Sequence, residues 1–310
     1  MLEITLIGCG GTMPLPGRAL AALAVKYRGR VTLVDCGEGT QAAARAAGVS
    51  LARVDCICLT HYHGDHIFGL PGLLQTMASL GRAEPVTLAG PAQGLAQWSA
   101  LLLALAGPLP FAVECRSLSG QAQIPCPDGL ELTAFPLAHR VPCVGYRFHL
   151  PRAGRFLPEQ AAALGVPKPC WKRLQAGESV RLADGRTIRP QQVLGPPRRG
   201  LTVVYGTDTA PCPALEAQAA GADLLLCDAT YADEADAAKA ALYGHSTFAQ
   251  AAALAARAGA RRLWLTHYSA AVADPEAALA GARTLYPGAV AGADGMRITL
   301  QFAAETGPQR

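Results

Sequence analysis

The chain has 310 residues, of which 51% are hydrophobic and 16% are charged, and its formal net charge is +4. These values describe a globular protein and exclude a disordered or fibrous one. No uninterrupted apolar run approaches the length of a membrane span, so no membrane partner is expected. The first residues resemble a strand and lack the basic and apolar regions of a signal peptide, which predicts a cytoplasmic protein.

The ten cysteines of the chain point to the same compartment. Most of them, such as Cys9, Cys36 and Cys227, stand singly in apolar surroundings, and the sequence has no CxxC pair. Free cysteines are among the most buried residues, whereas disulfides belong to oxidising environments. The pattern therefore predicts reduced and mostly buried thiols.

The first part of the chain alternates strand and helix patterns. Strands are predicted at residues 4–8, 24–27, 31–35 and 54–59, and a helix is predicted at 39–47, where Gly48 closes it. Apolar strands that alternate with helices favour an α/β fold, in which sheets pack between layers of helices.

The segment that follows the fourth predicted strand carries most of the chemical information. His61, His63, Asp65 and His66 lie within six residues. Side chains alternate along a strand, so His61 and His63 are expected on one side, while Asp65 and His66 lie on the turn beyond. Two imidazoles for one cation and a carboxylate with an imidazole for another make a two-metal arrangement, and these ligand types suit zinc.

The remaining polar residues at predicted strand ends extend this site. His139, His267 and Asp208 each follow an apolar strand pattern, and His245 begins a helix-like segment. Strand ends are where α/β folds place their chemistry, so these four side chains are predicted to share one site with the histidine-rich segment. His149, the last of the seven histidines, lies within a strand pattern and is predicted to be a structural or surface residue.

Residues 151–200 have a different composition. They contain seven of the 23 prolines, ten basic residues and three acidic ones, a net charge of +7, whereas the rest of the chain carries −3. A basic insertion in a slightly acidic protein predicts contact with a polyanion, and a solvated excursion with chance charge is the alternative. Lys168, Lys172 and Arg173 surround Trp171, a mixture that suits phosphate contact together with stacking on an unpaired base.

The second part of the chain repeats the α/β pattern. Strands are predicted at 201–206, 224–227, 263–266 and 296–302. Helices are predicted after Cys212-Pro213, at Ser246, and at Asp274-Pro275, where Asp can cap the helix and Pro can occupy its first turn.

Residues 61–66 match the HxHxDH signature of the metallo-β-lactamase superfamily, and other segments resemble its ribonuclease Z branch, the tRNA 3′-processing endonucleases. These segments are residues 8–14, 35–41, 68–74, 206–209, 245–247 and 265–267. The similarity extends in order from Met1 to about Asp274. It implies one α/β domain over residues 1–310, a metallo-β-lactamase αββα sandwich. It also implies an inserted flexible basic arm, a tRNA-binding exosite, at 151–197.

The resemblance also implies a ligand set and partners. One zinc would be held by His61, His63 and His139, a second by Asp65, His66 and His267, and both by the bridging Asp208. This makes two Zn²⁺ per subunit, although the residues leave Mn²⁺ or another divalent ion open. The implied partners are precursor tRNA, whose elbow the arm clamps through residues such as Lys168, Lys172 and Arg173, and a second subunit. The family is typically a homodimer in which each arm serves the partner's active site.

The implied reaction removes the 3′ trailer from precursor tRNA by attack of a hydroxide that two zinc ions activate, leaving a 3′-OH on the tRNA and a 5′-phosphate on the trailer. Asp65 would ligate metal and accept a proton, and His245 would act as the general acid. The family often has His-Glu-Ala-Thr where this chain has Cys227-Asp228-Ala229-Thr230. Asp228 would orient His245 or have a plain structural role, and the residues leave both open.

Two other functions fit part of the sequence. A different di-zinc metallo-hydrolase, acting on small phosphodiesters or thioesters, would explain the metal ligands but neither the basic segment nor the sequence His245-Ser246-Thr247. A non-catalytic RNA-binding relative would be expected to have a broken ligand set, whereas all seven ligands are present here. The missing export signal disfavours a periplasmic lactamase.

Overall fold

The computed structural model describes residues 1–303, which form sixteen strands and ten α-helices. The strands are β1 (Leu2–Gly8), β2 (Ala22–Tyr27), β3 (Arg30–Val34), β4 (Val54–Cys58), β5 (Val86–Pro91), β6 (Val113–Leu118), β7 (Ala122–Ile124), β8 (Glu131–Pro136), β9 (Val144–Arg152), β10 (Val180–Arg181), β11 (Thr187–Ile188), β12 (Arg198–Gly206), β13 (Leu224–Asp228), β14 (Leu263–Thr266), β15 (Ala289–Ala291) and β16 (Met296–Leu300). The helices are α1 (Thr40–Ala46), α2 (Gly64–Ile67), α3 (Leu70–Ser79), α4 (Ala92–Ala106), α5 (Pro158–Ala163), α6 (Lys168–Gln175), α7 (Pro213–Ala219), α8 (Ala237–Tyr243), α9 (Phe248–Ala258) and α10 (Ala280–Leu285).

Two seven-stranded sheets form the frame of the molecule. The first has the strand order β16-β1-β2-β3-β4-β5-β6, and the second has the order β15-β14-β13-β12-β9-β8-β7. The strands β3 to β6 run parallel to one another, as do β12 to β15. The carboxyl ends of neighbouring parallel strands meet at one edge of a sheet, so each sheet brings several loops together there.

Helices cover the sheets, as the alternating pattern predicts. Apolar side chains of α3, among them Leu70, Leu73 and Met77, pack on Leu33 and Ile57 of the first sheet. α9 contacts β13, β14, α7 and α10 on the second sheet. A fully buried side chain of this size contributes about 1.5–3 kcal/mol, so this packing supplies much of the fold's stability.

The two sheets are joined close to the histidine-rich segment. The Tyr146 hydroxyl on β9 donates a hydrogen bond of 2.6 Å to the carbonyl of Leu59, just beyond β4. The backbone N–H of Val144 donates to the carbonyl of Thr60 at 3.0 Å. These bonds fix the loop after β4 against the second sheet. No helix within residues 1–303 has the length and apolarity needed to cross a membrane.

Residues Leu150–Leu201 form a second compact unit, while Met1–His149 and the residues from Thr202 onward form the first. The second unit, here called the 150–201 unit, contains α5, α6 and the hairpin β10–β11. It has its own small core of buried apolar residues. They are Ala161, Val166, Leu174, Val180, Ile188 and Val193.

The predicted strands lie where the sequence placed them, with shifts of a few residues at their ends. Two predicted helix starts were wrong. α9 begins at Phe248 rather than Ser246, because Thr247 caps it and forms a reciprocal capping pair with Gln250. Asp274 does accept the backbone N–H groups of Glu276 and Ala277, but the next turn is 3₁₀ and α10 starts only at Ala280.

Candidate metal centre

Seven polar side chains converge beyond the carboxyl ends of strands in both sheets. β4 ends at Cys58, so His61 and His63 lie on a loop and not on the strand from which their common direction was predicted. They nevertheless point to one place, because the loop is extended at His63, where the φ and ψ angles are −70° and 151°. His139 follows β8, Asp208 follows β12, and His267 follows β14 directly.

Four of these side chains form the first ligand group: His61, His63, His139 and Asp208. The Nε2 atom of His61 lies 2.8 Å from Nδ1 of His63, which in turn lies 3.5 Å from Nε2 of His139. The Oδ2 atom of Asp208 is 3.7 Å from His61 Nε2 and 3.9 Å from His139 Nε2.

The second ligand group comprises Asp65, His66 and His267, together with the other oxygen of Asp208. The Nε2 atoms of His66 and His267 are 3.2 Å apart, and each lies 3.1 Å from Oδ1 of Asp208. Oδ2 of Asp65 is 3.6 Å from His66 Nε2 and 3.4 Å from His267 Nε2. Asp208 therefore turns one carboxylate oxygen toward each group.

These distances fit divalent cations. Zinc binds nitrogen and oxygen at about 2.0–2.2 Å in tetrahedral sites, which places its ligand atoms roughly 3.3–3.6 Å from one another. The distances within both groups scatter around that value. The donors are imidazoles and carboxylates, which zinc, manganese and iron accept. The two groups could thus hold two cations that share Asp208.

The outward nitrogens of two of the histidines are held by a pair of residues, Asp35 and Thr60. The Nδ1 atom of His66 lies 2.9 Å from Oδ2 of Asp35. The Thr60 hydroxyl donates to the same carboxylate at 3.0 Å and lies 3.0 Å from Nδ1 of His61. A hydroxyl that donates to Asp35 can accept only from a protonated Nδ1. This arrangement leaves the Nε2 lone pair of His61 for a cation.

Asp228 and Thr230 repeat this arrangement on the second sheet. The Nδ1 atom of His245 lies 2.8 Å from Oδ2 of Asp228. The Thr230 hydroxyl donates to Oδ1 of Asp228 at 2.9 Å and lies 3.1 Å from Nδ1 of His267. In each pair the carboxylate orients one histidine ring directly, and the threonine hydroxyl orients a second ring. His139 is held by the backbone instead: its Nδ1 donates to the carbonyl of Gly244 at 2.9 Å.

Several residues around the site have a backbone conformation that residues other than glycine rarely adopt. Asp35, Asp208, His267 and Thr12 all have positive φ angles, between 54° and 70°. Such non-glycine conformations are uncommon and cluster at functional sites, where surrounding contacts fix them. The N–H of Thr12 donates to Oδ2 of Asp65 at 2.6 Å and so positions that ligand.

Electrostatics in the cleft favour cations. Burial alone would raise the pKa of Asp208, but the neighbouring His267, His66 and His61 hold it well below its usual value. Burial would lower the pKa of His267, yet Asp208 and the hydrogen bond with Asp65 raise it to about 9. Buried carboxylates that stay ionised attract positive charge strongly at low local dielectric constant. Bound metal ions would supply that positive charge in place of protonated histidines.

The ligand groups open into a cleft of about 700 Å³. Its lining includes His63, Asp65, His139 and His267, with Arg140, Tyr231, Lys239 and Tyr243 on the wall that carries His245. The His245 side chain is 13% exposed and lies outside both groups as defined here, although it is also close to Asp208 and His267. Its Nδ1 atom is engaged by Asp228, which turns Nε2 away from that carboxylate.

Residues predicted to contact RNA lie in the 150–201 unit. Lys168, Lys172 and Arg173 are exposed on α6, and Arg173 pairs with Glu178 at 3.0 Å. Trp171, the residue predicted to suit stacking on a base, is half-buried. Its indole N–H donates to the carbonyl of Val166 at 3.0 Å, and its ring packs on Phe156 beside the core of this unit.

The predictions for His149 and the cysteines can also be compared with the structure. His149 is half-buried on β9 and bonds to the Thr202 hydroxyl at 2.9 Å, which confirms a structural role. All ten cysteines lie within residues 1–303 as free thiols. Cys115 is exposed, and six of them are buried.

No role was predicted for Asp35, Thr60 or Thr230 from their place in the sequence. Asp35 follows β3 directly, as Asp208 closely follows β12, so the rule that selected Asp208 also selects Asp35. The two threonines carried no comparable signal, because each gains its role from a residue that is distant in sequence. That residue is Asp35 for Thr60 and His267 for Thr230.

Comparisons with known proteins agree with this geometry. The profile described as the metallo-beta-lactamase superfamily matches residues 16–91, and one described as a beta-lactamase superfamily domain matches residues 156–268. The ribonuclease Z of Lachnoclostridium phytofermentans is 42% identical over 302 residues, covering 97% of this chain and 99% of that protein. The ribonuclease Z of Salinibacter ruber is 46% identical over 294 residues, covering 93% and 91%.

Solved structures show the same fold. The crystal structure of the short form of human tRNase Z superposes with a TM-score of 0.67 at 24% identity, covering 97% of this chain and all of that one. The Bacillus subtilis metallo-beta-lactamase fold protein YhfI superposes with a TM-score of 0.69 at 20% identity, covering 96% and 98%. At these identities the likeness establishes the architecture, the metallo-β-lactamase fold.

Proposed function

Because the chain belongs to the ribonuclease Z family, we propose that it is a metal-dependent endoribonuclease that removes the 3′ trailer from precursor tRNA. The products would be a tRNA with a free 3′-OH and a trailer with a 5′-phosphate. The observation that carries this proposal is the position of Asp208, whose two oxygens face two complete ligand groups in one open cleft.

The proposed cofactors are two Zn²⁺ per subunit, with Mn²⁺ or another divalent ion able to take their place. His61, His63 and His139 would hold the first, Asp65, His66 and His267 the second, and Asp208 both. When bound, a pair of divalent cations supplies an acidified water and neutralises charge on the phosphate oxygens. The types of donor atoms and the distances between them support this number of ions.

The protein's own groups would move the protons. Asp65, fixed by the N–H of Thr12, would accept the proton of the attacking water. The leaving O3′ of the tRNA needs a proton, and we assign it to Nε2 of His245, because Asp228 accepts from Nδ1 and would stabilise the protonated ring. In this chain Asp228 stands where relatives often have glutamate, and the 2.8 Å contact supports an orienting role for the shorter side chain.

We further propose that the 150–201 unit is the tRNA-binding arm and that Lys168, Lys172 and Arg173 contact the RNA backbone. Their exposure on one short helix and the surplus of basic residues in the unit support this. The resemblance also leads us to propose a homodimer in which the arm of one subunit serves the other's cleft, and a cytoplasmic location, which suits ten reduced cysteines.

Incubation of the purified protein with a 3′-extended precursor tRNA, with and without chelator, tests the function. A single cut near the discriminator base that leaves a 3′-OH and disappears with chelator is the expected result. Intact RNA, together with hydrolysis of bis(p-nitrophenyl) phosphate or a thioester, would leave the metal centre standing but replace the tRNA assignment by a small-substrate hydrolase.

A complementation experiment tests the dimer and the arm together. One variant carries His245→Ala, and the other carries Lys168→Ala with Lys172→Ala. If an arm serves the partner's cleft, mixing the two impaired proteins and allowing subunit exchange restores about a quarter of the wild-type activity at tRNA concentrations far below the raised KM. This fraction corresponds to one competent cleft in half of the dimers. Additive residual activity alone, or a monomeric mass by light scattering, would refute the arrangement.

A further inference from the structure

One arginine on the wall of the cleft has its hydrogen-bonding capacity unused. Arg140 follows the ligand His139 and is exposed in the cleft. Its Cζ atom lies 4.8 Å from the ring centroid of Tyr243. Within residues 1–303, that ring contact is its only recorded partner, and no carboxylate or carbonyl accepts from its guanidinium. Five N–H donors in a planar fork are therefore presented to the cleft.

The ring beneath this arginine is firmly placed. Tyr243 is the last residue of α8, and the next residue, Gly244, accepts the Nδ1–H of His139. Gly244 has a φ of 71°, and a Cβ there would stand 2.9 Å from Cα of His139, so only glycine allows this approach. The end of α8 is thus packed against His139, and it holds Tyr243 and His245 in fixed positions around Arg140.

A second cation on the same wall is less available. Nζ of Lys239 lies 5.1 Å from the ring centroid of Tyr231. However, Asp236 also lines the cleft and precedes Lys239 by three residues at the start of α8, a spacing at which opposite charges offset each other. Asp233, the other acidic side chain of this wall, accepts the N–H of Ala235 at 2.9 Å. Among residues 1–303, Arg140 has no carboxylate partner of this kind.

We propose that Arg140, held on the ring of Tyr243, binds a backbone phosphate of the RNA adjacent to the phosphate that is cleaved. The proposal rests on the proposed function and adds a subsite to it. A guanidinium fork matches two phosphate oxygens, and an unpaired 3′ extension presents a phosphate at every nucleotide. Tyr243 is then a positioning residue, which keeps the long arginine side chain in one orientation and lowers the entropy that binding costs.

Steady-state kinetics on two substrates test the subsite: a 3′-extended precursor tRNA, and bis(p-nitrophenyl) phosphate, which has no second phosphate. Arg140→Ala is expected to raise KM for the tRNA about tenfold and to change kcat much less. It should also flatten the slope of log(kcat/KM) against log salt by about 0.7–0.9. Arg140→Lys should keep that slope but recover only part of the KM, since an ammonium lacks the planar fork.

Two further sets of variants serve as matched controls. Tyr243→Phe keeps the ring and should behave like the wild type, whereas Tyr243→Ala should follow Arg140→Ala on the tRNA. Arg53→Ala removes another exposed charge. Arg53 precedes β4 and lies about 16 Å from the cleft end of that strand. This variant should show wild-type kcat and KM on both substrates. Circular dichroism and metal content establish that each variant is folded.

Equal loss of both activities in Arg140→Ala, or an unchanged KM and salt slope for the tRNA, would overturn the proposal. Failure of the proposed function looks different: the wild type would hydrolyse bis(p-nitrophenyl) phosphate and leave precursor tRNA intact. In that case, oligoribonucleotides of two and three nucleotides replace the tRNA. For the proposed subsite to hold, Arg140→Ala must then lower kcat/KM for the trinucleotide more than for the dinucleotide.

Discussion

Substitution of Thr60 and Thr230 by valine offers a sharp test of how the histidines are oriented, because valine keeps the shape of threonine and removes only the hydroxyl. In Thr60→Val, Nδ1 of His61 loses its oxygen acceptor and keeps only the weak contact with Cys143 Sγ at 3.9 Å, and Asp35 loses one of its three donor groups. Asp35, Thr60 and His61 are 0% exposed, so water cannot replace the lost bonds. A buried polar group left unpaired costs about 1–3 kcal/mol.

That cost corresponds to a change of roughly 10- to 100-fold in equilibrium, which is also the usual effect of removing the hydrogen-bond partner of a metal-binding histidine. We expect Thr60→Val to lower the affinity of the first ligand group for its cation by this factor. Thr230→Val should lower the affinity of the second group by the same factor, because the Thr230 hydroxyl lies 3.1 Å from Nδ1 of His267.

Metal-free protein titrated with Zn²⁺ against a chromophoric chelator gives the two affinities, and Co²⁺ spectra assign them to the two groups. Each single variant should lose affinity at a different site, and the double variant at both. Wild-type affinities in both single variants would refute the role of the hydroxyls. Loss at the same site in both would show that the division into two ligand groups is incorrect.

Other predictions concern proton transfer, the proposed arm and packing around His267. His245→Ala should retain both metals in elemental analysis while tRNA cleavage slows by about 10²–10⁴-fold, and a variant that loses metal would contradict the assignment of a general acid. Replacing Lys168 and Lys172 by alanine should raise KM for precursor tRNA far more than KM for bis(p-nitrophenyl) phosphate; equal increases would point to a structural role for α6. Gly11→Ala should selectively release the second cation, since its Cβ would stand 2.5 Å from Cε1 of His267. Full zinc content in that variant would show that the ring can move aside without cost.

Much of the candidate site could be predicted because its signals are local. Four of the seven ligands lie within six residues, and the other three stand where apolar strands end. The parallel strands β12 to β14 bring Asp208 and His267 to one edge of the second sheet. The local backbone was predicted less well. His61 and His63 were predicted to share a side because of strand alternation, but β4 ends three residues before His61, and an extended loop produces the same result.

What the sequence did not reveal depends on contacts between distant strands. The contact between Thr60 and Asp35 becomes visible only when β3 lies beside β4, and the contact between Thr230 and His267 only when β13 lies beside β14. The half-burial of Trp171 was not apparent from the sequence for a different reason. Its basic neighbours suggested an exposed ring, yet a large aromatic side chain in a small unit stabilises most when it packs against a partner such as Phe156.

Each ligand group draws residues from both halves of the αββα sandwich. His61, His63, Asp65 and His66 come from the loop and helix after β4, whereas Asp208 and His267 come from strands that arrive more than 130 residues later. Two bound cations would therefore cross-link the two sheets. Ions that bind only the assembled state stabilise it by about 4 kcal/mol each when present at a thousand times their dissociation constant. The supply of divalent metal ions would then affect the stability of the protein as well as its activity.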